Sequence, residues 1–438
     1  MFRSMFLYYL WLGGKSLRRN PALTALTVLI LAIGIAAAMT SLTVLHVMSA
    51  DPLPGRSDQL YVPQLDNRPA EDRQASPRPD PQLTWMDADR LLQDARGQRQ
   101  TALYGLALPV TPSRPEIDAT VDNGIATTAS FFEMFDVPLA AGRVWSAEED
   151  ASGADVAVIT GEFARRQFGD TDAVGQALRL QGRDYRVVGV IGDWQPLPKV
   201  YRLMGSSPAG PPEPFWIPLR NAVAQGYGNN GWVNCSGDQA PGWENFLKAE
   251  CNWLQYWVQL APGQVAAYRD DLQAYAADQR SQGRMQRSAE VDLLTLAQWT
   301  QARGLVSNDT RLQAGLSLAF FAVCLVNVVG LMGAKYAARA GEIGVRRALG
   351  ASRRQIFWQV LVESGVVGLA GAALGLLLSL AGLALTGQRS AEMARVAQLD
   401  GSMLALTLML ALGGALLAGL WPTWRAANVR PALQLKTQ

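Results

Sequence analysis

The stretch RAGEIGVRRALGASRRQI, residues 339–356, joins two of the most apolar segments of the 438-residue chain. It carries five arginines and one glutamate, whereas the flanking segments 316–334 and 360–385 carry a single charged residue between them, Glu363. A soluble core cannot bury such a bridge cheaply, because an ionised side chain loses its hydration there. A membrane protein can place the bridge in the cytoplasm, where a partner can hold it.

Four apolar runs are long enough to cross a bilayer. Residues 22–45, 316–334 and 403–424 contain no charged side chain, and residues 360–385 contain only Glu363. A helix needs about 20 apolar residues to cross the hydrocarbon layer. Charged residues make up 17% of the chain, below the roughly 25% of a typical soluble domain. We therefore predict four transmembrane helices. A cleaved signal peptide is the alternative for the first run, but that run is longer than the usual apolar region.

Basic residues next to these runs indicate the orientation. They occur before the first run, in the bridge between the second and third, and after the fourth; outside the bridge they include Lys15, Arg18, Arg19, Arg425, Arg430 and Lys436. Lysine and arginine accumulate on the cytoplasmic side of a membrane. Both ends of the chain and the bridge are therefore predicted to be cytoplasmic, and the long region between the first two runs is predicted to lie outside.

The predicted fold class is an α-helical membrane domain of four transmembrane helices, with a large α+β extracytoplasmic domain on a helical stalk between helices 1 and 2. The expected segments are a cytoplasmic amphipathic helix at 1–20, transmembrane helix 1 at 21–48, the outer domain with its stalk at 49–309, transmembrane helix 2 at 310–336, a cytoplasmic helix at 337–356, transmembrane helix 3 at 357–386, an outer loop at 387–402, transmembrane helix 4 at 403–424 and a cytoplasmic tail at 425–438. A disordered lead-in is the alternative for residues 1–20.

The sequence pattern of the outer region is typical of a folded α+β domain. DVAVITG, at 155–161, predicts a strand, residues 161–169 have helical spacing, and residues 178–193 predict a hairpin with QGRD as its turn. Residues 68–82 and 202–257 are rich in turn-forming residues and predict loops, the second of them an insertion. Residues 272–296 predict a helix that leads toward the second membrane crossing.

The three cysteines do not form a metal pattern. Cys235 and Cys251 lie in or beside the loop at 202–257, and Cys324 lies in the second apolar run. Two cysteines in one exported loop predict a disulfide; two free thiols remain the alternative.

Catalytic chemistry has little support in this sequence. The single histidine, His46, lies at the end of the first apolar run, where a triad or a Cys-His pair would have to use it. LGGKSL near Gly14 resembles the end of a phosphate-binding loop, but Tyr9 occupies the position of the first glycine. We expect a chain that is not an enzyme and binds no cofactor or metal. Its net charge of only +2 does not indicate binding to nucleic acids either.

The arginine bridge resembles the signature of the MacB/FtsX family of ABC-transporter permeases, E-I-G-x-R-R-A-L-G-A followed by basic residues and a helix containing E-S. The matching positions are Glu342, Ile343, Gly344, Arg346, Arg347, Ala348, Leu349, Gly350 and Ala351, then Arg353 and Arg354, then Glu363 and Ser364. Pro422, Ala426 and Pro431 fit the family's C-terminal pattern. In the outer region SFFEMFDVPLAAGRVWSAEED, DVAVITGEFARRQFG, AVGQALRL and YRVVGVIGDW resemble the MacB-type periplasmic core domain.

The resemblance implies a permease that transmits motion from a cytoplasmic ATPase to the outer domain and drives export from the periplasm. ATP and magnesium would be bound by two copies of that ATPase, and the permease would pair with itself or with a related chain in the bacterial inner membrane. The expected ATPase contacts are Arg339, Glu342, Ile343, Gly344, Arg346, Arg347, Ala348, Leu349, Gly350, Ala351 and Arg354. The resemblance also implies a periplasmic adaptor and an outer-membrane channel.

Other interpretations remain open at this point. A Lol-type lipoprotein-releasing permease and an FtsX-like regulator of a cell-wall hydrolase have the same helix plan, and the arginines could serve only to fix topology.

The third apolar run also contains a GxxxG pattern, Gly371 and Gly375, which permits close approach of another helix.

Overall fold

The structure is a computed structural model. It describes residues 21–69, 78–114, 116–169, 171–237, 239–287 and 291–387, and, further on, residues 405–406, 409–410, 412–414, 416–417, 419–420 and 424. The predictions for residues 1–20, 388–402 and 425–438, and most of the fourth transmembrane helix, lie outside this range. The chain divides into two compact units, Ala50–Leu305 and a second unit formed by Met1–Ser49 with Val306–Gln438.

Helix α1 (Pro21–Ser49) precedes the outer domain, which is built on one ten-stranded mixed sheet. The strands of the outer domain are β1 (Leu60–Gln64), β2 (Arg99–Thr111), β3 (Thr120–Thr127), β4 (Leu139–Gly142), β5 (Val156–Thr160), β6 (Ala177–Leu180), β7 (Arg183–Ile191), β8 (Phe215–Pro218), β9 (Asn234–Cys235), β10 (Cys251–Asn252), β11 (Gln255–Gln259) and β12 (Asp292–Thr295). Its helices are α2 (Trp85–Asp94), α3 (Ser130–Met134), α4 (Ala147–Ser152), α5 (Gly161–Phe168), α6 (Leu219–Ala224), α7 (Trp243–Lys248), α8 (Val265–Ser281) and α9 (Leu296–Ala302).

The strand order of the large sheet is β12-β1-β11-β2-β3-β8-β5-β7-β4, and β6 pairs with both β2 and β7. The β3–β8 and β5–β7 pairs are parallel and the remaining pairs are antiparallel. Residues 156–159 of β5 and all of β8 are apolar and buried because both faces of the sheet are covered. One apolar core contains Tyr104 and Trp253, and the other contains Phe131 and Trp257.

The predicted hairpin is confirmed. β6 and β7 pair antiparallel, with Leu180 opposite Arg183. The two residues between them, Gln181 and Gly182, have φ angles of 48° and 80°, which is the positive-φ backbone that a tight two-residue hairpin requires. The strand predicted around Val156 and the helix that follows it are present as β5 and α5.

The prediction that residues 202–257 form an irregular loop is wrong for parts of that range. β8 lies inside the sheet between β3 and β5, and β11 pairs with β1 and β2. Gly124 on β3 makes room for β8, since a Cβ there would overlap the ring of Phe215. The segment FWIP was missed because prolines and glycines surround it, and these residues ordinarily mark turns.

The predicted helix over 272–296 is also wrong in its second half. α8 ends at Ser281, and residues 292–295 form the edge strand β12, which pairs antiparallel with β1. Three residues on one side of α8, Tyr268, Leu272 and Ala276, are buried in the core of the outer domain. α8 is therefore a component of that domain and not a stalk that continues into the membrane.

The second unit contains α1, α10 (Asn308–Ala337), the short α11 (Ala340–Ala348) and α12 (Arg353–Gly387). Among the described residues, three helices are long and apolar enough to cross a membrane: Pro21–Ser49, Asn308–Ala337 and Arg353–Gly382. Gly371 and Gly375 of α12 lie against Leu31 and Ile35 of α1. A Cβ at Gly371 would come within 2.6 Å of Leu31 Cδ2, so the missing side chains allow this close packing.

Candidate functional site

The arginine bridge folds as the short helix α11 between α10 and α12. Backbone hydrogen bonds close the turn that follows α11. After α11 the amide of Gly350 donates to the carbonyl of Arg347 at 3.2 Å, and the amide of Ala351 donates to that of Arg346 at 3.0 Å. Gly350 has a φ of 103°, a left-handed conformation that favours glycine after a helix. The chain therefore turns out of α11 at Gly350.

The next helix begins with a capping box. The Ser352 hydroxyl accepts from the amide of Gln355 at 3.2 Å, and the Gln355 side chain accepts from the amide of Ser352 at 2.9 Å. This reciprocal pair satisfies two amides that would otherwise lack partners at a helix start. The direction in which α12 leaves the bridge is therefore fixed locally.

A buried carboxylate ties the bridge to both neighbouring helices. Glu363 of α12 accepts from Lys335 Nζ at 2.9 Å, and each of its oxygens lies 3.2 Å from Arg339 Nη1. Lys335 is in the last turn of α10 and Arg339 is the residue before α11. Glu363 and Lys335 are each only 4% exposed. Breaking a buried ion pair of this kind is costly, because the remaining charges lose their compensation.

The ion pairs continue from this buried point to the protein surface. Arg339 Nε lies 3.4 Å from Glu342 Oε2, and Glu342 Oε1 accepts from Arg346 Nη2 at 2.8 Å. Arg346 Nη1 donates in turn to Gln359 of α12 at 3.0 Å. We call Lys335, Arg339, Glu342, Arg346, Gln359 and Glu363 the junction network. It connects the end of α10, the whole of α11 and the first turns of α12.

The two sides of α11 differ in character. Ile343 and Gly344 are buried, and Ile343 belongs to an apolar cluster with Tyr336, Ile356 and Val360. The opposite side exposes Gly341, Val345, Ala348 and Leu349, which we call the exposed ridge; Val345 is 53% exposed and Leu349 is 83% exposed. These positions recur at four- and three-residue spacing along one helix face. Arg353 and Arg354, just beyond, are also exposed.

Several residues of the bridge have contacts within the chain, and their expected contacts with an ATPase stay predictions. Arg339, Glu342 and Arg346 were expected to contact a partner, but the contacts described here are with their own chain. Arg347 and Ala351 are half-buried. Lys335 and Gln359 were missed. The signal for Lys335 was its spacing, because residues 335, 339, 342 and 346 follow one another at intervals of four, three and four.

Two of the three cysteines form a disulfide in the outer domain. Cys235 and Cys251 face each other in the two-stranded pair β9–β10 and are joined by a disulfide. Cys324 is a free, buried thiol in α10. Within the part of the chain that the structure describes, no cluster of three or more histidine, cysteine, aspartate or glutamate side chains could hold a metal ion.

Two family models match the chain. The MacB-like periplasmic core domain matches residues 24–275, and the FtsX-like permease C-terminal domain matches residues 314–431. The chain belongs to the MacB/FtsX family of ABC-transporter permeases. The family predicted from the arginine bridge and from the outer-domain segments is thereby confirmed.

Individual relatives include exporters. The macrolide export ATP-binding/permease protein MacB of Rhodospirillum rubrum is 28% identical over 83% of this chain and 51% of its own length. The pyoverdine export ATP-binding/permease protein PvdT of Pseudomonas syringae pv. tomato is 24% identical over 70% of this chain and 42% of its own. The ABC transporter permease YknZ of Bacillus subtilis is 24% identical over 76% of this chain and 74% of its own. The chain thus spans about half the length of the MacB relative and less than half the length of PvdT.

Proposed function

We propose that this chain is the permease of a MacB-type transporter, in which α11 receives motion from a cytoplasmic ATPase and passes it to the membrane helices and the outer domain. The observation that carries this proposal is the contrast between the two sides of α11. One side is fixed to α10 and α12 by the junction network, and the other exposes Val345 and Leu349.

The exposed ridge is suited to a protein partner. Large apolar side chains on a cytoplasmic surface gain free energy when a partner covers them. The exposed Arg353 and Arg354 could add charge-assisted hydrogen bonds to carboxylates at the edge of such a contact. A short helix carrying both features can sit in a groove of a folded protein.

The junction network explains how a force on α11 would reach the membrane helices. α11 is only nine residues long and would turn freely if its ends were flexible. The ion pairs of Glu363 with Lys335 and Arg339, together with the buried Ile343, hold it to both helices. A displacement of α11 by the ATPase therefore moves the ends of α10 and α12 as well.

The test places a carboxylate on the exposed ridge. We expect Leu349→Asp to weaken co-purification of the ATPase from membranes, because a charge replaces the most exposed apolar side chain of the ridge. Covering one leucine is worth about 1.5–3 kcal/mol, so affinity should fall by about tenfold or more. Membrane abundance should stay unchanged, since the predicted topology signals are intact.

Val121→Asp is the matched control. Val121 is 67% exposed but lies on β3 of the outer domain, so the same change there should leave ATPase association intact. If Leu349→Asp leaves both ATPase binding and transport-coupled hydrolysis at wild-type levels, the exposed ridge is not the coupling surface.

Orientation can be tested with thiol reagents that do not cross the membrane. Cysteine introduced at Ser281, at the exposed end of α8, should be labelled from outside in intact spheroplasts. Cysteine at Gly341, exposed on α11, should be labelled only after the membrane is opened. Labelling of Gly341→Cys from outside would reverse the proposed topology.

Export is favoured over lipoprotein release or hydrolase regulation because two of the relatives above are named as exporters. On this proposal ATP and magnesium are bound by the ATPase, the permease acts in the inner membrane as one of two copies, and an adaptor with an outer-membrane channel completes the path. Co-purification distinguishes the alternatives: an adaptor supports export, a periplasmic lipoprotein carrier supports lipoprotein release, and a cell-wall hydrolase supports regulation.

A further inference from the structure

The outer domain has a pocket of about 680 Å³ where two loops meet the chain that follows α9. Residues 203–208, between β7 and β8, form one wall, Trp232 of the loop before β9 forms a second, and residues 303–305 form a third. A volume of this size is within the range of small-molecule sites in proteins. Of the described residues that line the pocket, Arg303 is the charged one. We call this site the Arg303 pocket.

The Arg303 side chain is half-buried and has no counter-charge in contact with it. Its guanidinium lies over the ring of Trp299, 5.3 Å from the centroid, and its Nη1 lies 3.7 Å from the sulfur of Met204. Within the described part of the chain, no carboxylate forms an ion pair with Arg303, and its Nε donates no hydrogen bond. Because a thioether is a weak acceptor, the donors of this guanidinium are poorly satisfied.

Asp80 attracts Arg303 from a distance but is held by other groups. Its carboxylate accepts from the side chain of Asn234 at 2.8 Å and from the amide of Gln82 at 2.9 Å. Burial lowers the pKa of Arg303; the attraction of Asp80 raises it and the repulsion of Arg78 lowers it, so the pKa stays below its ordinary value. The surroundings therefore leave the positive charge incompletely compensated, and an anion in the pocket would compensate it.

Trp232 supplies an apolar wall and is 68% exposed. The loop that carries it is held at its base, where the amide of Asn230 donates to the carbonyl of Gly105 at 2.7 Å and the carbonyl of Asn230 accepts from the buried Arg202. The side chain of Asn229 donates to the carbonyl of Trp232 at 2.9 Å. A large aromatic side chain exposed on an anchored loop is preorganised to contact a ligand.

The wall formed by residues 203–208 is also held in place. The amide of the buried Lys199 donates to the carbonyl of Pro208 at 2.7 Å. Gly205 has a φ of 89°, and a Cβ there would come within 2.6 Å of the Cα of Gly231. The two loops therefore pack backbone against backbone, which requires glycine at this position. The pocket is a preformed feature of the outer domain.

We infer that the Arg303 pocket binds an anionic amphiphile, with a phosphate or carboxylate on Arg303 and an apolar body against Trp232 and Met204. Arginine binds such oxyanions through charge-assisted hydrogen bonds. Leu203 and Leu305 add apolar surface to the lining. This chemistry occurs both in the headgroup region of an acidic phospholipid and in a soluble aryl phosphate. The inference goes beyond the proposed function, because it concerns a ligand of the outer domain and needs no ATPase.

The experiment measures binding of naphthyl phosphate to the full chain in phosphatidylcholine nanodiscs by equilibrium dialysis. This probe joins an oxyanion to an aromatic body, and its binding should be saturable. Naphthol has the same body without the charge and should bind more weakly by about tenfold or more, because the hydrogen bonds of a charged pair are lost.

Two variants test the residues. Arg303→Gln should weaken binding of naphthyl phosphate by about tenfold or more, whereas Arg303→Lys should keep part of the affinity because it keeps the charge. Arg269→Gln is the matched control, since Arg269 is an exposed arginine on α8 that does not line the pocket. Trp232→Ala should weaken binding by about threefold to tenfold, as expected for loss of an aromatic contact. Because Trp232 is exposed, this variant tests the pocket even if Arg303→Gln fails to fold.

Native mass spectrometry of the full chain in a neutral detergent separates the two sources of the anion. Added phosphatidylglycerol that stays bound to wild type and Arg269→Gln, but not to Arg303→Gln, identifies a lipid headgroup as the ligand. Equal retention by all three, together with naphthyl phosphate binding that depends on Arg303, identifies a soluble ligand.

The inference is overturned if naphthol binds as tightly as naphthyl phosphate, or if Arg303→Gln and Trp232→Ala both bind the probe as Arg269→Gln does. It is also overturned if neither naphthyl phosphate binding nor phosphatidylglycerol retention depends on Arg303. The Leu349→Asp variant separates this result from the coupling proposal, because it should lose the ATPase and still bind naphthyl phosphate. Failure of either property leaves the other measurable.

Discussion

Two buried glutamates, Glu213 in the outer domain and Glu363 in the membrane unit, each hold one lysine and one arginine. Glu213 lies 3.0 Å from Lys199 Nζ and 3.1 Å from Arg202 Nη1, and its exposure is 4%. Glu363 lies 2.9 Å from Lys335 and 3.2 Å from Arg339, also with an exposure of 4%. The two sites have the same composition but different surroundings.

The site around Glu213 is closed on all sides. Tyr201 donates to its second oxygen at 2.9 Å, Lys199 also donates to the carbonyl of Pro211 at 3.1 Å, and Arg202 donates to the carbonyl of Asn230. Gly105 makes room for the arginine, since a Cβ there would overlap the guanidinium. These contacts hold the loop before β8 against the sheet, so the site serves the stability of one domain.

The site around Glu363 is open at one end. Arg339 contacts Glu342, Glu342 contacts Arg346, and Arg346 is 35% exposed at its side chain. The ion pairs therefore run from a buried anchor to the surface of α11. The same set of charged groups thus has two uses. Around Glu213 it holds a loop of the outer domain in place, and around Glu363 it links the surface helix α11 to two membrane helices.

The largest effect is expected from Glu213→Gln. This change leaves Lys199 and Arg202 buried without a counter-charge, which costs about 3–5 kcal/mol for a buried ion pair. The free energy of unfolding of the outer domain in the full-length protein, followed by tryptophan fluorescence in urea, should fall by that amount. Glu116→Gln, at an exposed pair with Arg114, should change it by about 1 kcal/mol or less. If Glu213→Gln and Glu116→Gln lowered the unfolding free energy equally, burial would not determine how much stability is lost.

The same site predicts a dependence on pH. Burial alone would raise the pKa of Glu213, but Lys199 and Arg202 outweigh it and hold the pKa below its ordinary value. A carboxyl with a lowered pKa in the folded state contributes stability above the pKa of the unfolded chain, about 4.3, and that stability is lost as the pH falls toward the folded value. The difference in unfolding free energy between wild type and Glu213→Gln should therefore shrink below about pH 4.3. A difference that stays constant down to pH 3 would contradict the assignment.

The sequence revealed these two sites unequally. Glu363 is the one charge in an apolar run, and the arginines before it fall at helical intervals, so the family and the bridge could be recognised from local pattern. Glu213 lies in PPEP, where prolines predict a loop, and its partners come together only when β8 enters the sheet. Local periodicity predicted β5, α5 and the hairpin. It could not predict β8 or β12, because their pairing is with strands distant in sequence.

A smaller effect, and a more local one, is expected from Glu363→Gln. Lys335 lies in the last turn of α10, where a lysine can extend toward water near the membrane surface. The junction should lose about 1–3 kcal/mol of stability, which is the cost of leaving a buried polar group without its partner. Amide hydrogen exchange of α11 should become faster, while that of the outer domain stays unchanged.

Asp309→Asn is the control for Glu363→Gln, because Asp309 is an exposed carboxylate in the first turn of α10, the helix whose last turn holds Lys335. It should leave exchange in α11 at the wild-type rate. If Glu363→Gln instead lowers the unfolding free energy of the outer domain as Glu213→Gln does, the distinction between the closed and the open site is wrong.

The smallest effect is expected at two capping boxes, one chosen from each unit. In the outer domain Ser146 accepts from the amide of Glu149 at 3.1 Å, and at the junction Ser352 accepts from the amide of Gln355 at 3.2 Å. Replacing either serine by alanine should cost about 1 kcal/mol. For Ser352→Ala, faster exchange should be confined to the first turn of α12, because Glu363 still holds α11 through Lys335 and Arg339. Faster exchange throughout α11 would mean that the cap, and not the buried carboxylate, fixes the bridge.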